Sequence, residues 1–271
     1  MDAQFANAVA STSAAPAIRW QRLGNVPLST VTLNEAVEWI ARWAGQAPFR
    51  LVVTPNVDHL VTLQRDAAFG AAYARADLSL ADGQPVVWAA RYLGLRGVEK
   101  VSGSDLLPAL CARGAREGWR AYFVGGRDDE ELGLCLRRIG ERYPGLRVGG
   151  TSPPFGFEAD ARQTDALLGR ILEFGPDLLL LGVGSPKSEI WLARHAERLG
   201  RGVGLSIGAG MRFVAGLEPR APRWMQRAGL EWSFRLMREP GRLWRRYLVE
   251  DVRFLPLVLR WKREARRRKS N

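Results

Sequence analysis

The chain has 271 residues, 46% hydrophobic and 25% charged, an ordinary globular make-up that excludes collagen-like, disordered and disulfide-scaffold classes. Its two cysteines, Cys111 and Cys135, cannot build a disulfide framework, and both fall in apolar helix-like stretches, as buried thiols in a reducing cytoplasm do. The net charge of +12 is lopsided: residues 1–211 hold 23 basic and 22 acidic side chains and residues 212–271 hold 17 and 6, so a near-neutral body carries a cationic segment suited to phosphates on nucleic acid, on anionic lipid or on a pyrophosphate-linked substrate.

Along the chain, residues 1–20 read as a loose tail: Asp2 stands where a secretory signal needs Lys or Arg, and no unbroken apolar stretch follows. From residue 50 to 210, short apolar runs alternate with amphipathic stretches of helical length, each switch marked by Gly, Pro, Asp or Asn. The spacing predicts strands at 51–54, 78–81, 121–124, 146–148, 178–182 and 203–207. It predicts helices at about 58–75, 84–93, 104–117, 129–142, 160–174 and 186–199. The run LLLLG is apolar at every position, which a strand tolerates when helices cover both its faces. The expected fold is α/β, a Rossmann-like, mostly parallel sheet flanked by helices, with a helical C-terminal appendage. The body is expected over 21–216 and the basic appendage over 217–271, with three or four helices rich in Trp and Arg between 221 and 268. No run of 18 apolar residues is present, so no segment is expected to span a bilayer.

In an open parallel sheet the ligand lies beyond the carboxyl ends of the strands, so the residues that follow each strand carry the chemistry. Asp82, with Gly83 behind it, places a carboxylate there, either as a general base or as part of an Asp-Gly turn. Thr54 and Asn56 flank Pro55 after the first strand, either orienting a sugar or, for Asn56, capping the next helix. Gly125 and Gly126, and Gly184 ahead of Ser185 and Pro186, form turns whose N–H groups suit a phosphate. Neither turn is a dinucleotide fingerprint or a P-loop. His59 and His195 are too few to build a histidine metal site, and His59 reads as a positioning residue; no metal is expected.

Between 242 and 263, Trp244, Tyr247, Leu248, Val252, Leu255 and Leu259 recur every three or four residues and are flanked by arginines, the pattern of an interfacial helix or of one packed on the body. Pro256 is expected to interrupt or kink it.

In order, the segments VTPNVDHLV, ADLSLADG, VSGSDLL, FVGG, YPGL, GVGSPKSE and RAPRWMQRAGLEWSFRLMREPGRLWRRYL resemble the WecG/TagA/CpsF-type glycosyltransferases, from about Leu51 to Leu248. The resemblance implies an inverting, metal-independent transfer from a UDP-sugar to a polyprenyl-diphosphate-linked sugar in surface polysaccharide or teichoic-acid synthesis. It implies no cofactor, since the UDP-sugar is a substrate. It makes Asp82 the base and Thr54 and Asn56 the polar pair near the sugar. Gly125, Gly126, Gly184, Pro186, Lys187 and Glu189 fall on the donor side. Arg220, Arg223, Trp224, Glu231, Trp232 and Arg235 fall on the appendage, whose arginines, with Arg212, are expected to meet the diphosphate or the acceptor. Two positions depart from the family pattern: Ser188 replaces a Gln, and Arg212 replaces an Asp, which suggests a different sugar or acceptor. The expected setting is cytoplasmic, at the inner face of the cell membrane, on an anionic surface; an oligomer is compatible with the sequence.

A nucleic-acid-binding protein using the Arg- and Trp-rich helices is the competing reading. It accounts for the last quarter alone, so no nucleic-acid partner is expected. An NAD-containing epimerase lacks its fingerprint.

Overall fold

The computed structural model describes residues 17–270, without the side chains of Arg223, Arg227, Arg242, Arg246 and residues 268–270. Most of the expected loose tail therefore lies outside the described residues. Its last residue does not: Trp20 opens a hairpin of β1 (Trp20–Leu23) and β2 (Val26–Ser29). Helix α1 (Leu33–Trp43) follows, started by a capping box between Thr32 and Glu35. Neither the hairpin nor α1 is among the predicted elements.

The six remaining strands are β3 (Arg50–Val53), β4 (Leu78–Ser79), β5 (Arg120–Val124), β6 (Arg147–Thr151), β7 (Leu178–Leu181) and β8 (Val203–Ser206). They form one parallel sheet in the order β4-β3-β8-β7-β5-β6. The expected parallel α/β architecture is present. Alternation along β7 shows why its leucines are all apolar: Leu179 and Leu181 enter one core, Leu178 and Leu180 the other. The short edge strand β4 is covered by the hairpin, where Ser79 N–H donates to Ser29 Oγ at 3.0 Å.

One helical layer holds α1, α5 (Gly103–Glu117), α6 (Asp129–Arg142) and α9 (Gly210–Val214). The other holds α2 (Val57–Thr62), α3 (Ala67–Ala74), α4 (Gln84–Tyr92), α7 (Ala161–Phe174) and α8 (Lys187–Leu199). The single helix expected over 58–75 is thus two. The first ends at Thr62, and Asp66 caps the second, accepting from Phe69 N–H at 2.9 Å.

Beyond 217 come α10 (Arg223–Arg227), α11 (Glu231–Arg238), α12 (Pro240–Arg245) and, after two short irregular turns, α13 (Phe254–Ser270). Pro256 falls directly behind an interruption of the 242–263 stretch, the irregular turns over 246–253, as expected. It stands in the first turn of α13, where the missing N–H has no intrahelical partner to lose. Phe254, Leu257, Val258 and Trp261 are buried in the main core, each adding about 1.5–3 kcal/mol of apolar burial. Trp261 lies against Gly24 of the hairpin turn, where any side chain would collide with the indole. The opposite side exposes Leu255 and Leu259, continued by Leu248, Val249 and Val252. The expected stripe therefore faces solvent, with Tyr247 half-buried, and it is the other face of α13 that packs on the body.

Candidate active site

The turns after β3 and β4 are joined by backbone hydrogen bonds: Asp82 N–H donates to Pro55 C=O at 2.9 Å, and Leu80 N–H to Val53 C=O at 2.9 Å. This brings Asp82 beside the Thr54-Pro55-Asn56 turn, as the sequence suggested. Thr54 is buried with its hydroxyl toward the start of α5, Gly103 being its close neighbour. Asn56 caps α2, its Oδ1 accepting from His59 N–H at 3.0 Å, so one face of that amide is committed to the helix.

Asp82 itself is half-buried, directly ahead of the N-terminus of α4. Burial pushes its carboxyl up to about 6, with Glu231 and Asp105 adding to the rise and Arg235 and Lys100 opposing it. Three of these neighbours, Glu231, Asp105 and Lys100, belong to one charged cluster with Arg220. Arg220 donates to Asp105 Oδ1 at 2.9 Å and to Ser104 Oγ at 3.2 Å, and lies 3.7 Å from Glu231. Lys100 lies 3.8 Å from both Asp105 and Glu231. Burial would raise Asp105 too, but the Ser102 hydroxyl, donating at 2.6 Å, and the Arg220 guanidinium hold its carboxyl below the usual range. Two carboxyls are tuned in opposite directions: Asp105 is held toward its charged form beside Arg220 and Lys100, and burial holds Asp82 toward its protonated form.

The donor-side residues divide. Gly125 and Gly126 close β5 with positive φ, and Gly184 does so ahead of α8. Pro186, expected as the first helical residue behind a Ser185 cap, instead occupies the cap position itself with no side-chain cap bond. Lys187 turns aside: it pairs with Glu158 and lies over the ring of the fully exposed Phe155 at 4.5 Å. Ser188 is buried, its Oγ donating to Gly184 C=O at 3.0 Å and closing the first turn.

Glu189 is buried, 1% exposed, in the first turn of α8. His59 Nε2 is 3.9 Å from its Oε1, and His59 Nδ1 shares a 2.7 Å hydrogen bond with the Tyr73 hydroxyl. Neither Glu189 oxygen has a partner of full hydrogen-bond geometry, although the Ser206 and Ser185 hydroxyls stand close. Burial pushes its carboxyl up to about 7, against the pull of its own backbone N–H and of those two hydroxyls. Burial, then Glu189, Asp82 and Asp58, keep the Tyr73 phenol un-ionised. Above this cluster a polar cleft of about 650 Å³ opens between Asp58, Thr62, Arg65 and Asp66 on one side and Ser185 and Pro186 on the other, with Glu250 of the C-terminal segment at its edge. The smaller apolar hollow between Phe49, Arg120, Ile171 and Leu179 lies at the amino ends of the strands, away from this chemistry.

Of the appendage residues, Arg220 and Glu231 join the charged cluster, and Arg235 stacks over Phe213 at 5.4 Å while acting on Asp82. Trp232 packs edge-on to Tyr247, and Trp224 is exposed. The side chain of Arg223 lies outside the described residues. Arg212 pairs with Glu131 and with Glu218, the latter at 2.6 Å, which places it between α6 and the segment leaving α9, as a clamp. Sequence reasoning missed Lys100, Asp105, Ser102, Ser104 and Tyr73 as site residues. The Ser-x-x-Asp signature of a helix start in VSGSDLL carried the signal for Ser102 and Asp105. Among the described residues, no group of three or more His, Cys, Asp or Glu side chains gathers as metal ligands do.

Residues 21–268 match the profile of the Glycosyl transferase WecG/TagA/CpsF family. The chain is also 25% identical over 214 residues to the N-acetylglucosaminyldiphosphoundecaprenol N-acetyl-beta-D-mannosaminyltransferase of Bacillus spizizenii, covering 79% of this chain and 80% of that relative.

Proposed function

The chain belongs to the WecG/TagA/CpsF family of glycosyltransferases, and from that premise we propose an inverting, metal-independent transfer of a sugar from a UDP-sugar to a hydroxyl of a polyprenyl-diphosphate-linked sugar. The relative's name, an N-acetylmannosaminyltransferase acting on N-acetylglucosaminyldiphosphoundecaprenol, supports an acceptor of this class. The observation that carries the reading is Asp82: a half-buried carboxyl at a strand end, beside the Thr54-to-Asn56 turn and faced by Arg235, Lys100 and the Arg220 cluster.

In this reading Asp82 removes the proton of the acceptor hydroxyl. The freed oxygen attacks the anomeric carbon from the face opposite the diphosphate, the bond to the diphosphate breaks, and the configuration inverts. Negative charge grows on the departing UDP as that bond opens. Fixed cations and N–H groups aimed at that charge lower the barrier. Arg220 and Arg235, brought by the C-terminal helices, and the N–H groups of the Gly125-Gly126 and Gly184 turns supply them.

No helix among the described residues is long and apolar enough to cross a membrane. The exposed Leu248, Val252, Leu255 and Leu259, set among arginines, suit the surface of an anionic leaflet, where a lipid-linked acceptor resides. Incubation with a panel of UDP-sugars and a synthetic polyprenyl-diphosphate monosaccharide, followed by mass spectrometry and NMR of the lipid product, tests the reading. One added hexose-type residue of inverted anomeric configuration, formed equally well in EDTA, is expected. Absence of any product, or retained configuration, overturns it.

A further inference from the structure

The buried pair His59 and Glu189 has no part in the transfer step, yet it stands where the donor's charge would arrive. Glu189 lies in the first turn of α8, directly behind the Gly184-Ser185-Pro186 turn. His59 lies in α2, behind Asn56 and Asp58. The pair therefore bridges the two helices whose starts wall the polar cleft, and it is sealed beneath the cleft floor at 5% and 1% exposure. A carboxylate without full hydrogen bonds in such a place is a standing destabilisation.

Among the described residues, the groups that act most on Glu189 include no cation. Asp58 of α2 adds to the field on Glu189, and Asp58, Asp82 and Glu189 all act on Tyr73 of α3. Ser185 and Ser206 contribute hydroxyls only. Lys187, the nearest cation in sequence, is held away by Glu158 and Phe155, and Arg65 is exposed on the cleft wall. An anion placed on the N–H groups of this turn adds a like charge a few residues from Glu189, and a like charge favours the protonated form of a neighbouring acid.

We propose that Glu189, held against His59, is a proton store beneath the turn that receives the donor, so that binding of its diphosphate draws a proton from solvent onto the Glu189 carboxyl. The proposal rests on the reading of the chain as a UDP-sugar enzyme. Glu189 then offsets part of the charge of the incoming diphosphate by protonation, and release of that proton accompanies the departure of UDP. His59 and Glu189 are positioning residues in this scheme, since neither touches the reacting atoms.

Calorimetric titration of the full chain with UDP at pH 8, in buffers of low and high ionisation enthalpy, reads the proton directly. Wild-type protein is expected to take up about half a proton per UDP bound. Glu189→Gln, nearly the same shape without the ionisation, is expected to bind UDP with no uptake, while Asp82→Asn keeps the wild-type value. Buffer-independent heats in the wild type, uptake that persists in Glu189→Gln, or uptake lost in Asp82→Asn instead would overturn the proposal. If UDP does not bind the wild type at all, the donor reading itself fails, and the proposal with it.

Discussion

Arg220 donates to Asp105 at 2.9 Å across 115 residues of sequence, which fastens the start of the C-terminal helical segment to the N-terminus of α5, beside the strand end that carries Asp82. Replacing the guanidinium leaves Asp105 charged and orients nothing toward a departing diphosphate. Arg220→Ala is expected to lower turnover roughly tenfold or somewhat more, near the lower end for a charge-assisted hydrogen bond because the side chain is 30% exposed. Arg220→Lys recovers part of the loss. Steady-state kinetics beside a thermal melt separates this from unfolding.

Asp82→Asn keeps the shape of the strand end and removes the base. Turnover is expected to fall by on the order of 10²–10⁴, with UDP affinity retained. Near-normal turnover in the purified variant would remove Asp82 from the mechanism.

The two raised carboxyls give opposite trends for rate and stability. In the proposed mechanism Asp82 must be ionised to act, so turnover is expected to fall as pH drops through about 6. In the folded state Asp82 and Glu189 hold protons up to about 6 and 7, above their ordinary 3.8 and 4.5, so the folded chain binds more protons than the unfolded one across that window. Stability from these groups is present in acid and is lost as pH rises from about 4 to 7. Urea midpoints at pH 5 and pH 8 measure the slope, which is expected to shrink in Glu189→Gln.

Arg212 stands where the family pattern has an acid, yet its partners are Glu131 and Glu218. Arg212→Met strands the buried Glu131 carboxylate, leaving it the Arg127 N–H, which donates at 2.8 Å. A loss of about 1–3 kcal/mol of stability is expected, with the order of preference among UDP-sugars unchanged. A urea melt and the donor panel check the two halves.

The exposed side of α13 is separable from its buried side. Leu255→Glu with Leu259→Glu is expected to reduce sedimentation with anionic vesicles while leaving the melting temperature within a few degrees. Truncation after Ala215 is a poorer test, because it strips Phe254, Leu257, Val258 and Trp261 from the core.

The βαβ rhythm was legible because each strand here is a short apolar run between glycine-marked turns. The strand β6 runs over 147–151, longer than the expected 146–148, for a physical reason. Its Gly149-Gly150 pair looks like a turn, but a side chain at Gly150 would come within 2.5 Å of the Phe123 carbonyl oxygen, so the glycines belong to the ladder. The hairpin at Trp20 was hidden because a pair of four-residue strands has no periodicity to read. In the site, Asp82 and the Thr54-to-Asn56 turn followed from the rule of strand ends. The depth of Glu189 was not legible, because it depends on how α8 packs against α2 and α3. Lys100 and Asp105 meet Arg220 only through the fold, and no local pattern announces that meeting.

The indole of Trp261 lodged against Gly24 sews the last helix to the first hairpin. A nascent chain therefore lacks one wall of its interior until α13 has been made. Among the described residues the appendage is sewn to the body rather than hinged from it. In the proposed reading body and appendage meet a bilayer as one piece, and the few side chains on the outer side of that helix set the tilt of the crevice.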